Sequence, residues 1–547
     1  MTRDVRERAA SSRLSLPHHW PFLIVLAAGV VFRVLVLLSF RPALMFVGDS
    51  YGYLLRGASL SPGAVRPIFY PFLLAPFQRM GRVGWVPLWQ HLLGLAVGVA
   101  IYVLMRRLGI GVWGSTAAAA PILLDAYEIN IEQFIMAETV FTALVVVALL
   151  LLMWKERPGF VAAAGAGLCI ACATLTREVG LVLIAPVLVF LLVRRAGLLR
   201  TGVALAAFAA PVLVYSFWFQ SVNGSFGLSG HDGFFLYGRV ATFADCSADG
   251  IPYNERLLCD PRPAADRPFA NFYVWNSESP VHRLLAGDTP EANAIIKDFS
   301  IRVIRHQPLD YARAVLGDFL HFLAPGRTTG SQDEPLQIWQ YSKQMPILDH
   351  VYLSIPPCLA HPSGNCADTQ HLCFHGGIGC MELASTDPAH PGIVGFLQGY
   401  QRVMFMPGPL LALTIVLGFA GGLGWRRRWR LRAETLLLTI FGILILIVPV
   451  MTVMFDYRYM LPALAVLPPA GVLGTVALRD RIRRWRSRRS TAGPGEPESN
   501  GHEDRPGMGD ELLRLPEVQP SEAEHRETEA GAAEPGSTGS RGASPAS

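Results

Sequence analysis

Residues 20–38 read WPFLIVLAAGVVFRVLVLL, a run with one charge that is long enough to cross a bilayer, since about 20 apolar residues suffice. No small-residue cleavage site follows this run, which favours a membrane anchor over a removed signal peptide. Only 16% of the 547 residues are charged and 51% are hydrophobic, whereas soluble proteins carry roughly 25% charged residues. Comparable apolar runs lie at about 85–105, 110–125, 137–154, 159–175, 179–193, 201–219, 402–424, 433–454 and 459–478. The sequence therefore predicts an all-α polytopic membrane protein with about ten transmembrane helices.

The basic residues are concentrated in alternate connections between these runs. They lie at 106–107, 155–157, 194–200 and 426–432, and again from 479 onward. Cytoplasmic loops are the ones that collect Lys and Arg, so both termini are expected in the cytoplasm of a multi-pass plasma-membrane protein.

This orientation divides the chain into five regions. The outer connections include the first loop, 39–84, and the long segment 220–400. The expected regions are a cytoplasmic N-terminus (1–19), a transmembrane core (20–219) that contains the 39–84 loop, an extracytoplasmic loop domain (220–400), C-terminal transmembrane helices (401–480) and a disordered cytoplasmic tail (481–547) rich in Gly, Pro, Ser and Glu.

Six of the eight cysteines fall in the 220–400 segment. An even number of cysteines in an outward loop favours disulfide bonds in an oxidising compartment. The last four, at 358, 366, 373 and 380, could instead hold a metal, but they lack the CxxC pairs of zinc ribbons.

The first outer loop carries the most distinctive polar residues, in FVGDSYGYLLRGASLSPGAVRPIFYPFLLAPF. Asp49 lies where the chain leaves the membrane, so its carboxylate can face both lipid-borne and aqueous substrates. The alternative is that Asp49 only caps the next short helix, as Asp often does.

Other charged residues are expected at the same membrane surface. Glu138 begins the fourth apolar run, Arg177 lies between the fifth and sixth, and Arg458 lies between the last two. Arg66 is in the first outer loop, whereas Arg33 is inside the first run and faces either the bundle interior or the interface. Taken alone, each residue fits a helix terminus or a polar turn; their common side indicates a site.

Carboxylates and guanidinium groups at one membrane surface suit sugar transfer from a polyprenyl phosphate. Guanidinium groups stabilise the departing phosphate, and a carboxylate accepts the proton of the attacking hydroxyl. The sequence has no Gly-rich nucleotide loop, no HExxH motif and no basic patch interleaved with aromatic residues, so no nucleic-acid partner is expected.

A set of short motifs resembles the bacterial branch of the GT-C glycosyltransferases, near the protein mannosyltransferases and the lipid A aminoarabinose transferases. The motifs are an Arg in the first span, then GDS followed by Tyr53, then RP and YP, then AE, TRE and RY-x-x-P. They cover residues 20–220 well and 400–480 weakly.

The resemblance implies a multispan enzyme that transfers a sugar from a polyprenyl-phosphate donor to a glycan, lipid or protein acceptor on the outer face of the membrane, with inversion. It implies that Asp49 is the base or acceptor-orienting carboxylate and Glu138 the second acidic residue. The residues expected to bind substrate are Arg33, Tyr53, Arg66, Tyr70, Arg177 and Arg458. Ser50 follows Asp49 where the family often has paired acids, which weakens the case for a metal; no cofactor is expected, and a divalent metal stays open.

Two other functions compete with this interpretation. A transporter or flippase of lipid-linked glycans should place its charges near mid-membrane, in broken helices. A non-catalytic scaffold could keep the fold without the activity.

The arginine distribution makes a testable prediction about topology. Reporter fusions after residues 19 and 480 should report from the cytoplasm, and fusions within 220–400 from outside. A cytoplasmic signal from the 220–400 segment would contradict both the orientation and the position of the site.

Overall fold

The computed structural model describes residues 16–491 apart from positions 42, 47–48, 248–250, 286–288, 331–332, 344–370, 375–377, 383–389 and 425–429. Within this part, the chain is predominantly helical. The predicted tail therefore lies outside the described residues from position 492, and the helix before it continues to Thr491, beyond the expected end at 480.

The first part of the chain consists of ten described helices, three of which lie in two connections between the longer ones. The short helix Ala126–Ile131 is capped by Asp125, whose carboxylate accepts hydrogen bonds from two backbone N–H groups of its first turn. The helices are α1 (Trp20–Ser39), α2 (Asp49–Ser59), α3 (Phe69–Arg79), α4 (Val86–Arg107), α5 (Val112–Leu124), α6 (Ala126–Ile131), α7 (Glu138–Met153), α8 (Phe160–Thr174), α9 (Gly180–Val193) and α10 (Leu198–Asn223).

The segment after α10 contains shorter helices and one hairpin. Gly224, with a φ of 77°, ends α10 in the left-handed conformation that glycine adopts readily. The elements are α11 (Asp232–Ala241), α12 (Ala270–Trp275), α13 (Pro280–Leu284), α14 (Pro290–His306), α15 (Pro308–His321) and the antiparallel strands β1 (His371–Phe374) and β2 (Ile378–Glu382).

Further helices follow this segment. These are α16 (Pro391–Val403), α17 (Gly408–Leu423), α18 (Arg432–Thr452), a 3-10 helix (Tyr457–Ala465) and α19 (Leu467–Thr491). Asp456 caps the 3-10 helix, because its carboxylate accepts a hydrogen bond from the backbone N–H of Arg458.

Four of the described helices, or continuous helical stretches, are long and apolar enough to cross a membrane: Trp20–Ser39, Val83–Arg107, Leu198–Asn223 and Arg432–Thr452. Two bent helix pairs, with angles of 46° and 49°, would make six if each is one span. The remaining four predicted runs coincide with apolar helices of 13 to 16 residues, α5, α7, α8 and α9. Among the described residues, helix length and composition therefore support four to six membrane spans, fewer than the ten that the sequence predicts.

The membrane helices pack closely where side chains are small. Gly167 of α8 faces the backbone of α10, and a Cβ at this position would lie 2.1 Å from the carbonyl oxygen of Ala204. A larger residue at 167 would force α8 and α10 apart.

Part of the 220–400 segment has a hydrophobic core of its own. Buried side chains of α11, α12 and α14, including Phe234, Tyr273 and Phe299, pack together there. Arg267 donates hydrogen bonds to the carbonyl oxygens of Ala241 and Ala244, which ties the connection between α11 and α12 to this core. We call the described part of residues 231–306 the outer lobe, after the side of the membrane that the sequence predicts for it.

Two of the six predicted disulfide cysteines are bonded to each other within the outer lobe, Cys246 and Cys259. In the register of the hairpin, residue 373 is opposite residue 380. Residues 358 and 366 lie outside the described residues, so at least one further disulfide among the last four cysteines stays a prediction.

Removing the disulfide should loosen the outer lobe. Cys246→Ser frees a loop of about a dozen residues in the unfolded chain, and the expected loss is roughly 2–4 kcal/mol of the free energy of unfolding. Thermal unfolding of the purified protein without reductant measures it, with Cys169→Ser in the membrane helix α8 as the matched control. Equal unfolding temperatures for Cys246→Ser and the natural protein would contradict this prediction.

Candidate functional site

Asp49 is held in place by the chain that precedes it. After α1, Leu44 forms two backbone hydrogen bonds with the segment that follows α6, at Gln133 and Ile135. The Ser50 hydroxyl donates to the carbonyl oxygen of Ile135 at 3.0 Å. These bonds fix where α2 begins, and Asp49 is its first residue.

Both carboxylate oxygens of Asp49 accept hydrogen bonds from arginines. One oxygen lies 2.9 Å from Nε and from Nη2 of Arg66, and the other lies 2.7 Å from Nη1 of Arg458. Among the described residues, these are the hydrogen bonds of the Asp49 side chain, and none of them goes to the first turn of α2. The carboxylate therefore joins two distant parts of the chain.

Glu138 adjoins this group as the first residue of α7. Its carboxylate is paired with Arg177, in the turn between α8 and α9, and lies 3.9 Å from Nη1 of Arg458. Asp456 contacts the Nε of Arg458 at 2.8 Å. We call Asp49, Arg66, Glu138, Arg177, Asp456 and Arg458 the Asp49 cluster.

The Asp49 cluster is electrically balanced, with three carboxylates and three guanidinium groups. Glu138 is 2% exposed, whereas the side chain of Arg66 is 30% exposed, so the cluster is open mainly at Arg66. Rings of Phe46, Trp339 and Tyr459 surround the guanidinium of Arg458 at 5.0 to 5.4 Å.

The electrostatics of Asp49 favour its charged form. Burial alone would raise the pKa of this carboxyl, but Arg66 and Arg458 outweigh burial and hold the pKa well below its ordinary value. A carboxylate that is held in this way is a weak base for as long as both arginines stay on it.

The two predicted tyrosines form a buried layer beside Asp49. The rings of Tyr53 and Tyr70 meet edge to face, with centroids 4.9 Å apart. The Tyr70 hydroxyl donates to Oε1 of Gln90 at 2.7 Å, and Tyr70 is fully buried. Tyr70 therefore supports the layer, and the ring of Tyr53 packs against it.

Arg33 does not join the Asp49 cluster. It is 1% exposed, and its Nε and Nη2 donate to the two carboxylate oxygens of Glu132, each at 2.7 Å. The Nη1 of Arg33 donates to the carbonyl oxygen of Leu123, and His91 contacts Glu132 at 2.6 Å. The side chain faces the bundle interior, one of the two predicted orientations, and its guanidinium is fully engaged there.

Sequence reasoning missed several residues near the cluster. Glu132 is one of them, although the charge of Arg33 inside an apolar run indicates that a carboxylate must face it. Asp456 lies two residues before Arg458. Glu334 and Arg327 lie in the 220–400 segment and carry no recognisable pattern.

Glu334 is buried, and its carboxylate accepts a hydrogen bond from the Asn271 amide at 2.6 Å. Burial raises the pKa of Glu334 to about 7, with a further rise from Asp456 and an opposing effect from Arg458. Across the described part of the chain, no group of three or more His, Cys, Asp or Glu side chains is arranged to hold a metal ion.

Three solved structures resemble this chain, each aligned over 87% of it. The archaeal oligosaccharyltransferase AglB of Archaeoglobus fulgidus, in complex with an inhibitory peptide and a dolichol-phosphate, has 14% identity and a TM-score of 0.39. The Archaeoglobus fulgidus oligosaccharyltransferase in its apo form has 13% identity and a TM-score of 0.34. ArnT of Cupriavidus metallidurans, bound to undecaprenyl phosphate, has 15% identity and a TM-score of 0.30.

The chain spans about half the length of the two archaeal proteins, 52% and 53%, and 81% of ArnT. No family model and no curated protein sequence matches the chain. At TM-scores below 0.5 this likeness carries no assignment of function, which has to come from the geometry of the site.

The raised pKa of Glu334 predicts a pH-dependent stability. Between about pH 4.5 and 7 the folded protein binds this proton more tightly than the unfolded chain, so stability falls as the pH rises. Glu334→Gln imitates the protonated form. We expect this variant to match the natural protein at pH 5 and to exceed it by about 2–3 kcal/mol at pH 8.

Thermal unfolding of the purified protein from pH 5 to 8 measures this difference. Glu278→Gln is the matched control, because its carboxylate is exposed. A difference between Glu334→Gln and the natural protein that does not change with pH would refute the assignment.

Proposed function

We propose that the protein is a membrane glycosyltransferase that moves one sugar from a polyprenyl-phosphate donor to a cell-envelope glycan, lipid or protein. One observation carries the proposal: both oxygens of Asp49 are held by arginines, Arg66 and Arg458, that come from separate connections between membrane helices. A base for an acceptor hydroxyl and two ligands for a phosphate thus occupy one place.

In the proposed reaction, the acceptor oxygen forms a bond to the anomeric carbon while the bond from that carbon to the phosphate oxygen breaks. The electron pair leaves with the polyprenyl phosphate, whose negative charge the guanidinium groups of Arg66 and Arg458 stabilise. The acceptor proton passes to the carboxylate of Asp49. The attack comes from the face opposite the phosphate, so the configuration inverts.

Donor binding and the basicity of Asp49 are coupled in this scheme. A phosphate that engages Arg66 or Arg458 competes with the Asp49 carboxylate for the same N–H donors. When these donors turn to the phosphate, the pKa of Asp49 rises toward its ordinary value and the carboxylate becomes a better proton acceptor. The base is thus weak until the donor is present.

The remaining cluster residues receive supporting roles in the proposal. Glu138 orients Arg177 and lies within 3.9 Å of Arg458, so it restrains both guanidinium groups when Asp49 is released. The ring of Tyr459 lies 5.3 Å from the Arg177 guanidinium and keeps it beside the site. Tyr53 provides the wall behind Asp49. Because Arg33 is buried and paired with Glu132, we do not include it among the phosphate ligands; in the proposal it stabilises the fold.

The proposal places the reaction on the outer face of the plasma membrane, with both termini in the cytoplasm. The arginine-rich connections lie at the opposite ends of the membrane helices from Asp49, and this supports the orientation. Ten crossings follow if the four apolar helices of 13 to 16 residues also span the membrane. The outer lobe then lies on the same side as the site.

A transporter of lipid-linked glycans is the alternative. It requires charged groups that can be offered to a substrate within the membrane. The buried Arg33 is already paired with Glu132, and the Asp49 cluster lies at helix ends, where it suits surface chemistry better.

The substitution Asp49→Asn tests the catalytic role. It keeps the size of the side chain and removes both charge and basicity, so sugar transfer should fall by about 10²- to 10⁴-fold. The measurement is transfer of radiolabelled sugar from a polyprenyl-phosphate donor in membranes, normalised to protein amount.

Asp310→Asn is the matched control, because Asp310 lies on the exposed surface of α15. Arg177→Ala and Arg458→Ala should mainly weaken the use of the donor. Near-normal sugar transfer by Asp49→Asn would show that Asp49 is not the proton acceptor. If the natural protein transfers no sugar, and the natural protein and Asp49→Asn export lipid-linked sugar equally well, the transporter is favoured.

A further inference from the structure

Helix α15 carries a row of exposed leucines on one side. Leu309, Leu316 and Leu320 are 70%, 56% and 53% exposed. Residues four and seven positions apart lie on the same face of an α-helix, so these three side chains form one stripe along it. Single exposed leucines are common on protein surfaces, whereas a continuous apolar stripe marks an interaction surface.

A different side of α15 packs against the protein. Val315 is buried, and Tyr311 and Phe319 are partly buried against the same hydrophobic core. Asp310 and Arg313 form an ion pair on the exposed surface, with Oδ1 and Nη1 3.0 Å apart. Since each residue of an α-helix turns it by about 100°, the leucine stripe lies between the buried side and this charged edge. The helix thus has one side for the protein, one that is apolar and exposed, and one that is charged.

Both ends of α15 contact the ends of apolar helices. The Tyr311 hydroxyl donates to the carbonyl oxygen of Met451, the second-last residue of α18, at 3.0 Å. Just beyond the other end of α15, the chain lies against Gly408, the first residue of α17. A Cβ at Gly408 would lie 2.2 Å from the carbonyl oxygen of Ala324. Because α17 and α18 pack against each other, α15 lies across two neighbouring helix ends.

These two helix ends lie at one surface of the membrane. Helix α18 is long and apolar enough to cross a bilayer, and α17 qualifies as a span together with α16. The connection between the other ends of α17 and α18 contains five arginines within 426–432, which is typical of the cytoplasmic side. Leu410 and Leu413, in the first two turns of α17, are each 48% exposed. The lipid-facing surface of α17 therefore begins beside α15.

We propose that α15 is an interfacial helix that lies along the outer leaflet of the bilayer, with Leu309, Leu316 and Leu320 inserted among the lipids. Amphipathic helices of this kind sink roughly 5–10 Å into the boundary between headgroups and acyl chains. Arg313, beside the stripe and with 77% of its side chain exposed, is a long cationic residue of the type that contacts lipid phosphates. The inference requires α17 and α18 to lie in a membrane, and it does not depend on sugar transfer.

The end of α15 also contacts the turn that carries Arg458. The ring centroids of His321 and Phe322 lie 4.3 and 4.6 Å from that of Phe455. Phe455 is three residues before Arg458 in the chain. A leaflet that holds α15 in place would therefore also restrain one arginine of the Asp49 cluster.

The test places a fluorine label on the leucine stripe of the full-length protein, in nanodiscs of phosphatidylethanolamine and phosphatidylglycerol. The amino acid 4-(trifluoromethyl)phenylalanine replaces Leu316, and fluorine NMR measures its relaxation by two paramagnetic probes. One probe is a phospholipid with a nitroxide near the start of its acyl chain, and the other is a water-soluble gadolinium chelate. We expect the lipid nitroxide to relax this label several-fold more strongly than a label that replaces Asp310, and the chelate to show the reverse order.

Asp310 is the matched control position, because it lies on the charged edge of the same helix and its side chain is 49% exposed. A label that replaces Leu320 repeats the measurement at a second position of the stripe, independently of whether the first variant folds. Since these side chains are exposed, the unfolding temperatures of the labelled proteins should stay close to that of the natural protein.

The inference is overturned if the aqueous chelate relaxes the labels at 316 and 320 as strongly as the label at 310. It is also overturned if neither probe relaxes them, because a protein partner or a second copy of the chain would then cover the stripe. A natural protein that transfers no sugar, yet shows the expected relaxation, would remove the proposed function and leave the interfacial helix standing.

Discussion

A positive charge inside the first membrane helix has to be neutralised within the protein, and the surrounding helices are arranged around that requirement. Arg33 lies on α1, and its partner Glu132 follows α6, while His91 of α4 contacts the same carboxylate. Removing one member of such a buried pair typically costs about 3–5 kcal/mol, because the other charge is left unpaired. The helices must also come close: a Cβ at Gly94 of α4 would lie 1.8 Å from the Glu132 carboxylate. Glycine at this position therefore leaves the space that the ion pair needs.

The same ion pair also supports the position of the Asp49 cluster. Glu132 begins the short segment that continues through Ile135, and this segment holds the chain between α1 and α2 by backbone hydrogen bonds at Leu44. The Gln90 amide donates to the carbonyl oxygen of Glu132 at 2.8 Å, and its oxygen accepts the Tyr70 hydroxyl. The position of Asp49 thus depends on a charge pair that takes no part in the proposed chemistry. In the proposed reaction the two tasks are separate: the Arg33–Glu132 pair sets the geometry, while Arg66 and Arg458 exchange the Asp49 carboxylate for the donor phosphate.

The sequence was sufficient for the helical class, for most of the apolar runs and for the common surface of Asp49, Glu138, Arg177 and Arg458, because alternation of spans fixes which connections share a side. The sequence could not show which charged residues contact one another. Asp49 and Arg458 are 409 residues apart, and nothing local distinguishes their contact from a helix cap or a polar turn. Arg33 could be predicted to face either the interior or the interface, and its partner Glu132 had no signal of its own. The contributions of Arg327 and Glu334 come from a segment without periodicity, whose fold against the core is decided by long-range packing.

The four short apolar helices have a consequence for the surrounding lipid. Helices of 13 to 16 residues are about 20–24 Å long, whereas the hydrocarbon layer of a bilayer is about 30 Å thick. Their outward faces are apolar, with Val161 at 86% and Val189 at 58% exposure. Where such helices cross, hydrophobic mismatch draws the lipid headgroups inward and thins the bilayer locally. In the proposed reaction, a prenyl chain anchored in that thinned ring would carry its phosphate at a depth set by the protein, so the thickness of the membrane would affect the rate of sugar transfer.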